Sequence, residues 1–141
     1  MLAKNDQINE LLARVIEEIV PSREELAKIL RGGKKITVYL GIDPTAPKLH
    51  LGHAVPLLVL KRFEKLGHRV VLLVGDFTAQ IGYPSGKTSQ RRPLSREEVK
   101  ENRKAYQAQA GKILDFHSRG TRPVLRYNSS WHRKLRFGDV L

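Results

Sequence analysis

An α/β fold built on a parallel sheet is predicted by three features of the chain. Residues 36–42 and 69–74 are rich in aliphatic and β-branched residues and read as buried strands, the second continuous enough for a sheet covered on both faces. The stretch 51–66 between them is helical in pattern, so strand, helix and strand fit one βαβ unit. A long glycine- and proline-bearing loop follows the second strand, where open α/β sheets bind their ligands.

The remaining elements follow in order. Ile8, Leu11, Leu12, Val15, Ile16 and Ile19 recur at helical spacing and predict an amphipathic helix over 6–19, stopped by Pro21. Ser22 and Glu25 fit a capping box that opens a second helix to about Arg31, with Gly32-Gly33 closing it. Pro56 suits the third helix only in its first turn. Gly67-His68 is a turn, and 75–94 is the long loop, with Gly75, Gly82, Pro84, Gly86 and Pro93. Ser95 and Glu98 cap a fourth helix to about Phe116, and 117–122 is a basic loop. A short strand at 123–127 then leads through Asn128-Ser129-Ser130 into a short helix near Trp131. Another element begins at Phe137-Gly138-Asp139-Val140 as the chain ends, which predicts a half domain.

Composition narrows the partners. The 141 residues carry 40% hydrophobic and 28% charged side chains, ordinary for a globular protein. Cysteine is absent, which excludes disulfides and fits a reducing cytoplasm. No apolar run approaches ~20 residues, so no membrane partner is expected. The net charge of +12, with basic residues concentrated after residue 86, favours a polyphosphate or RNA partner.

The densest chemistry lies at His50-Leu51-Gly52-His53, where the first strand's loop meets the helix. A helix N-terminus has unpaired N–H groups and about half a positive charge, so anions settle there. Two imidazoles at that point can donate to phosphate or ribose oxygens, and Gly52 lets a flat base approach the backbone. Adenylyl transfer needs little beyond placement and stabilisation of phosphate charge, and one such contact is worth on the order of 2–4 kcal/mol in the transition state. Thr45 can donate to the leaving phosphates, and Asp43 can hold a ribose hydroxyl, an ammonium group or Mg2+. A structural cap is the plainer reading of the histidine pair. His68, His117 and His132 lack ligand spacing, so no protein-bound metal is expected. Gly82 to Thr88 imitates a P-loop but has three residues between its glycines where that motif has four. Asp76 reads as a cap of the loop after its strand, and Tyr127 and Trp131 as packing residues.

The run from Tyr39 to His53, the run from Val71 to Gly82, and Pro84-Ser85-Gly86-Lys87 resemble the bacterial tyrosyl-tRNA synthetases, which are class I aminoacyl-tRNA synthetases. Tyr106 to Leu114 and Arg126-Tyr127-Asn128-Ser129 with Trp131 extend the resemblance over nearly the whole chain. It implies a Rossmann-like (HUP-type) sheet with flanking helices. Residues 1–33 would be an N-terminal helical segment and 34–141 the first half of the catalytic domain, ending where the connecting, dimer-forming insertion starts. It also implies a cytoplasmic homodimer that makes tyrosyl-adenylate from L-tyrosine and ATP, with Mg2+ on the ATP, and passes the tyrosyl group to tRNA-Tyr. By the same resemblance, His50, His53 and Thr45 serve catalysis, with Gly41, Asp43 and Gly52 lining the adenylate pocket. Tyr39 lies near the substrate phenol, Thr78, Tyr83 and Asn128 near the amino end, and Lys87 and Arg91 near pyrophosphate or the tRNA acceptor end.

Two departures stand out. The family pattern Ile-Gly-Asp-Pro-Ser-Gly-Lys has Tyr83 in place of its aspartate, which forfeits a charge-assisted contact of roughly 1.5–3 kcal/mol to the substrate ammonium. No K-M-S-K-S-type loop is present, so the chain reads as an N-terminal fragment, impaired on its own. Two other readings compete: a fragment that binds ATP or RNA without turnover, and a small nucleotidyltransferase of the phosphopantetheine adenylyltransferase type. The latter needs a late arginine-bearing motif that residues 115–141 lack.

Overall fold

Three parallel strands in the order β1-β2-β3 organise the computed structural model, which describes residues 4–14, 16–81, 93–117 and 122–139 apart from the Phe137 side chain. They are β1 Thr37–Ile42, β2 Arg69–Val74 and β3 Val124–Tyr127. β1 pairs with β2 from Thr37↔Arg69 to Ile42↔Val74, and β2 with β3 from Val71↔Val124 to Val74↔Tyr127. The helices are α1 Lys4–Ala13, α2 Arg23–Arg31, α3 Leu51–Lys65, α4 Arg96–Ala110 and α5 Ser129–His132. The expected β1–α3–β2 unit is therefore present.

The register sorts the side chains by face. Val38, Leu40, Ile42, Val70, Leu72 and Val74 share one face, and α3 packs against it through Leu57, Leu60 and Phe63. Ile8, Leu11 and Leu12 of α1 and Ala27 and Leu30 of α2 extend the same core, which Ala110 and Leu114 complete. Each large aliphatic side chain removed from water here contributes about 1.5–3 kcal/mol. The opposite face is not covered among the described residues: Tyr39 is 70% exposed, and Val71 and Leu73 are half-buried. The expectation of a strand sealed on both sides is thus met on one side only, because no described helix lies over the second.

Two helix ends and the place of one proline differ from expectation. α1 ends at Ala13, not residue 19. Arg23 donates to the Leu12 carbonyl and Arg62 to that of Arg14 at 3.2 Å, satisfying the last turn early. The β-branched Ile16 and Ile19, and Val20 placed before Pro21, then disfavour continuation. α4 stops at Ala110, where Gly111 caps it, and does not reach Phe116. Pro56 sits sixth in α3, beyond the first turn. It supplies no amide to the Gly52 carbonyl, and that side of the helix end faces solvent, which limits the cost.

His68, 4% exposed, ends the turn before β2 and accepts the Ile36 amide on Nδ1 at 3.4 Å. Burial first, then the charges of Lys4 and Lys35, hold its pKa below the ordinary 6.5. As pH falls, the unfolded chain takes up this proton before the folded one. His68 therefore leaves stability intact above about pH 6.5 and erodes it below, toward the lowered folded value. Thermal melts by circular dichroism should show Tm falling between about pH 7 and about pH 5, with a shallower fall in His68→Gln. Parallel slopes for the two proteins would contradict this.

Candidate functional site

The α3 N-terminus is capped by imidazoles. His50 is the N-cap residue, extended at φ −120°, and its Nδ1 accepts the Gly52 amide at 3.1 Å. His53 Nδ1 accepts the His50 amide in return at 3.3 Å, and the two rings lie 4.0 Å apart. An Nδ1 that accepts an amide carries no proton, so a neutral ring holds its hydrogen on Nε2. Both rings are thereby set as Nε2–H donors at a helix end that is already electropositive. Burial, then the neighbouring His50, lowers the His53 pKa, in keeping with that neutral form. The capping reading and the ligand-donor reading are thus compatible: the cap occupies Nδ1 and leaves Nε2. Gly52 plays a part that the sequence reading did not assign. A Cβ there would come within 2.9 Å of His50 Cε1, so its absence lets the His50 ring fold over the helix end.

A second polar group forms where the three strands end. Thr78 Oγ1 donates to Asp43 Oδ1 at 2.7 Å and accepts Asn128 Nδ2 at 3.0 Å, while Asn128 Oδ1 accepts the Phe77 amide at 2.9 Å. Asp43 follows β1, Thr78 follows β2 and Asn128 follows β3, so one chain of bonds spans the carboxyl edge of the sheet. Gly75 makes room for it: a Cβ there would lie 1.8 Å from Asp43 Oδ1 and 2.4 Å from Thr78 Oγ1. Oδ1 of Asp43 is committed to Thr78, and Oδ2 has no hydrogen bond among the described residues.

Asp76 does more than cap its own loop. It is 3% exposed and accepts the Ser129 amide at 3.0 Å, the Ser129 hydroxyl at 2.8 Å and Arg103 Nη1 at 3.0 Å. Arg103 also lies 4.4 Å over the Tyr127 ring. Burial, the leading cause, with Asp76 raises the Tyr127 pKa against the opposing pull of Arg103.

α4 braces the loop that carries the site. Asn102 Nδ2 donates to the Pro44 carbonyl at 3.0 Å. Gln109 donates to the Pro47 carbonyl and accepts the Leu49 amide, both at 3.0 Å. Tyr106, 1% exposed between them, meets the Ala46 backbone and the Thr45 side chain, and stands edge-on to His53 at 5.9 Å. Burial is the main cause that raises its pKa. Sequence reasoning missed Gly75, Asn102, Arg103, Gln109 and Ser129. A polar i, i+4, i+7 stripe at Asn102, Tyr106 and Gln109 was the available signal for the brace.

The structure therefore brings Asp43, Thr78 and Asn128 into one network, and joins Thr45, His50, Gly52 and His53 on the braced loop and helix end. Gly41 lies in β1, two residues before Asp43. Tyr39 is not part of either group: it lies on the uncovered sheet face, in a trough of about 400 Å3 with Val71, Leu73, Arg126 and Trp131. Trp131, 43% exposed, packs at the edge of that face with its ring 5.7 Å from that of His132. Tyr83, Lys87 and Arg91 lie outside the described residues.

Parallel strands, a helix starting beyond the first strand and a polar edge where all three strands end define a Rossmann-like α/β protein. Residues 31–141 match the family model for tRNA synthetases class I (W and Y). The chain is 50% identical to the tyrosine–tRNA ligase of Carboxydothermus hydrogenoformans, covering 94% of this chain and 32% of that protein. It is 48% identical to that of Thermotoga maritima, again over 94% and 32%. A C-terminally truncated mitochondrial tyrosyl-tRNA synthetase of Aspergillus nidulans superposes with a TM-score of 0.77 at 27% identity, over 100% of this chain and 41% of that one. The chain belongs to the class I tRNA synthetase family of tryptophanyl and tyrosyl enzymes, and it spans about a third of the length of the curated relatives it matches.

Proposed function

We propose that this chain carries the ATP and tyrosine-amino side of a tyrosine–tRNA ligase. In this reading tyrosine and ATP give tyrosyl-adenylate and pyrophosphate, and the tyrosyl group then passes to tRNA-Tyr. The observation that carries it is the imidazole pair at the start of α3, with both Nδ1 atoms spent on backbone amides and both Nε2–H groups left to donate. Those donors meet the phosphates and ribose of ATP. Thr45 assists at the leaving pyrophosphate. Asp43, Thr78 and Asn128 hold the substrate's polar groups, with Gly41 and Gly52 beside the nucleotide. Tyr39 faces the phenol, and Lys87 and Arg91 face pyrophosphate or the acceptor end. Mg2+ enters with ATP as its counter-ion. Among the described residues, no group of three or more His, Cys, Asp or Glu side chains could hold a metal ion. A homodimer, a cytoplasmic setting and a division near residue 33 belong to the same reading. No described helix is long and apolar enough to cross a membrane.

Isothermal titration with ATP tests the nucleotide site. Replacing His50 and His53 together by Ala should weaken binding by roughly tenfold or more, the worth of hydrogen bonds to a charged phosphate. An unchanged Kd would remove the pair from the site. Tyr83 is expected to keep tyrosine activation weak. Pyrophosphate exchange should rise by about tenfold or more in Tyr83→Asp, which restores a carboxylate for the ammonium group. No gain over the parent would contradict this.

A further inference from the structure

The loop from β1 to α3 has little burial to hold it. Residues 45–48 are exposed, and Pro44 and Pro47 carry no amide to donate. Leu49 packs partly against the core. Among the described residues, the hydrogen bonds of 46–49 run to α4. The Ala46 backbone meets Tyr106, the Pro47 carbonyl accepts Gln109 Nε2 at 3.0 Å, and the Leu49 amide donates to Gln109 Oε1 at 3.0 Å. A carboxamide offers one oxygen and two N–H groups. Gln109 spends both kinds, because Nε2 also donates to the Ala105 carbonyl one turn earlier at 3.0 Å. The Leu49 amide can only donate and the Pro47 carbonyl can only accept, so the carboxamide has a single orientation. Gln109 thereby fixes two successive peptide planes, 47–48 through the carbonyl and 48–49 through the amide. The next amide along, that of His50, donates to His53 Nδ1 at 3.3 Å, while His50 Nδ1 accepts the Gly52 amide. The ring pair therefore takes its bearing from a run of peptides set by α4.

We propose that Gln109 is a positioning residue for the imidazole pair: by clamping 47–49 it presets His50 at the N-cap, and with it the Nε2–H donors of both rings. Asn102 and Tyr106 seat the earlier part of the loop, at Pro44 and at Thr45 and Ala46. Gln109 holds the residues that lead directly into His50. Without the clamp the 48–49 peptide is free to turn and the His50 amide leaves His53 Nδ1. The His53 ring is then no longer restricted to one tautomer. The inference rests on the nucleotide reading only where ATP is the readout; the ring tautomers report the clamp without any nucleotide.

Gln109→Met tests it, since methionine keeps the length and helix propensity of glutamine and removes its bonds to Pro47, Leu49 and Ala105. Long-range 1H–15N spectra of the full chain at about pH 8, where neutral imidazoles prevail, read the tautomers. The parent should show the fixed Nε2–H form at His50 and His53. In Gln109→Met the two nitrogen signals of the His53 ring should approach one another as the Nδ1–H form enters. Titration calorimetry should give a Kd for ATP about fivefold weaker, the worth of about one neutral hydrogen bond. Tyr127→Phe removes a different bond of α4, from the Tyr127 hydroxyl to Gln107 Oε1 at 3.3 Å, and should leave both readouts unmoved. Gln109→Glu keeps an acceptor for Leu49 and loses the donors at neutral pH. It should move the His53 signals in the same direction as Gln109→Met, and it keeps the test open if that variant does not fold. His53 signals that stay fixed in the folded Gln109 variants, or that move equally in Tyr127→Phe, would overturn the positioning role. Moved signals with an unchanged Kd for ATP would support the clamp and overturn the nucleotide reading instead.

Discussion

Gly75→Ala should cost about 2–4 kcal/mol of folding stability, a large loss for the addition of one methyl group. The added Cβ would stand 1.8 Å from Asp43 Oδ1 and 2.4 Å from Thr78 Oγ1. The backbone cannot retreat easily. The Gly75 amide donates to the Ile42 carbonyl at 2.9 Å, and its carbonyl accepts the Ala79 amide at 3.0 Å. The carboxylate must therefore turn away, which breaks its bond to Thr78 and loosens Asn128. A drop in Tm on the order of 10 °C is expected by calorimetry for a domain of this size. In the background Asp43→Ala/Thr78→Ala the same substitution should cost less than about 1 kcal/mol, because its obstacles are gone. Equal costs in both backgrounds would show that the crowding lies elsewhere.

Asp76→Ala should cost about 3 kcal/mol. An exposed ion pair contributes little, but Asp76 is 3% exposed and accepts three hydrogen bonds. Removing it strands the Ser129 amide and leaves Arg103 part-buried without its partner. Breaking a buried pair from one side costs roughly 3–5 kcal/mol, and the 30% exposure of the Arg103 side chain returns some of that to water. Arg103→Met should cost less, since Asp76 keeps both donors of Ser129. Urea unfolding midpoints give the order directly, and a larger loss in Arg103→Met would contradict this account.

Local signals placed much of the fold. The run 69–74 has the continuous aliphatic and β-branched character of a strand, and Ser95 with Glu98 forms the reciprocal cap its spacing announces. The same local reading failed at the end of α1. There the apolar spacing continued through Ile19, while arginines from α2 and α3 took the last carbonyls at Leu12 and Arg14. A partner 11 or 48 residues away leaves no local trace in the pattern. At the site, His50, Gly52 and His53 were legible because a cap and a helix start lie within four consecutive residues. Asn102 and Gln109 were not, because they act on backbone carbonyls 58 and 62 residues distant.

The order of strand, helix and strand, the imidazole pair at the helix start and the basic charge all follow from residues close together in the chain. Short-range capping and periodicity suffice for these, and they would survive in any arrangement that kept the β1–α3–β2 unit. The tautomers of the two histidines, the need for glycine at 75, the brace from α4 and the pairing of Asp76 with Arg103 arose only once the chain had folded. Each depends on atoms from separate elements meeting within about 3 Å, a distance set by packing of the layers and invisible to spacing along the chain.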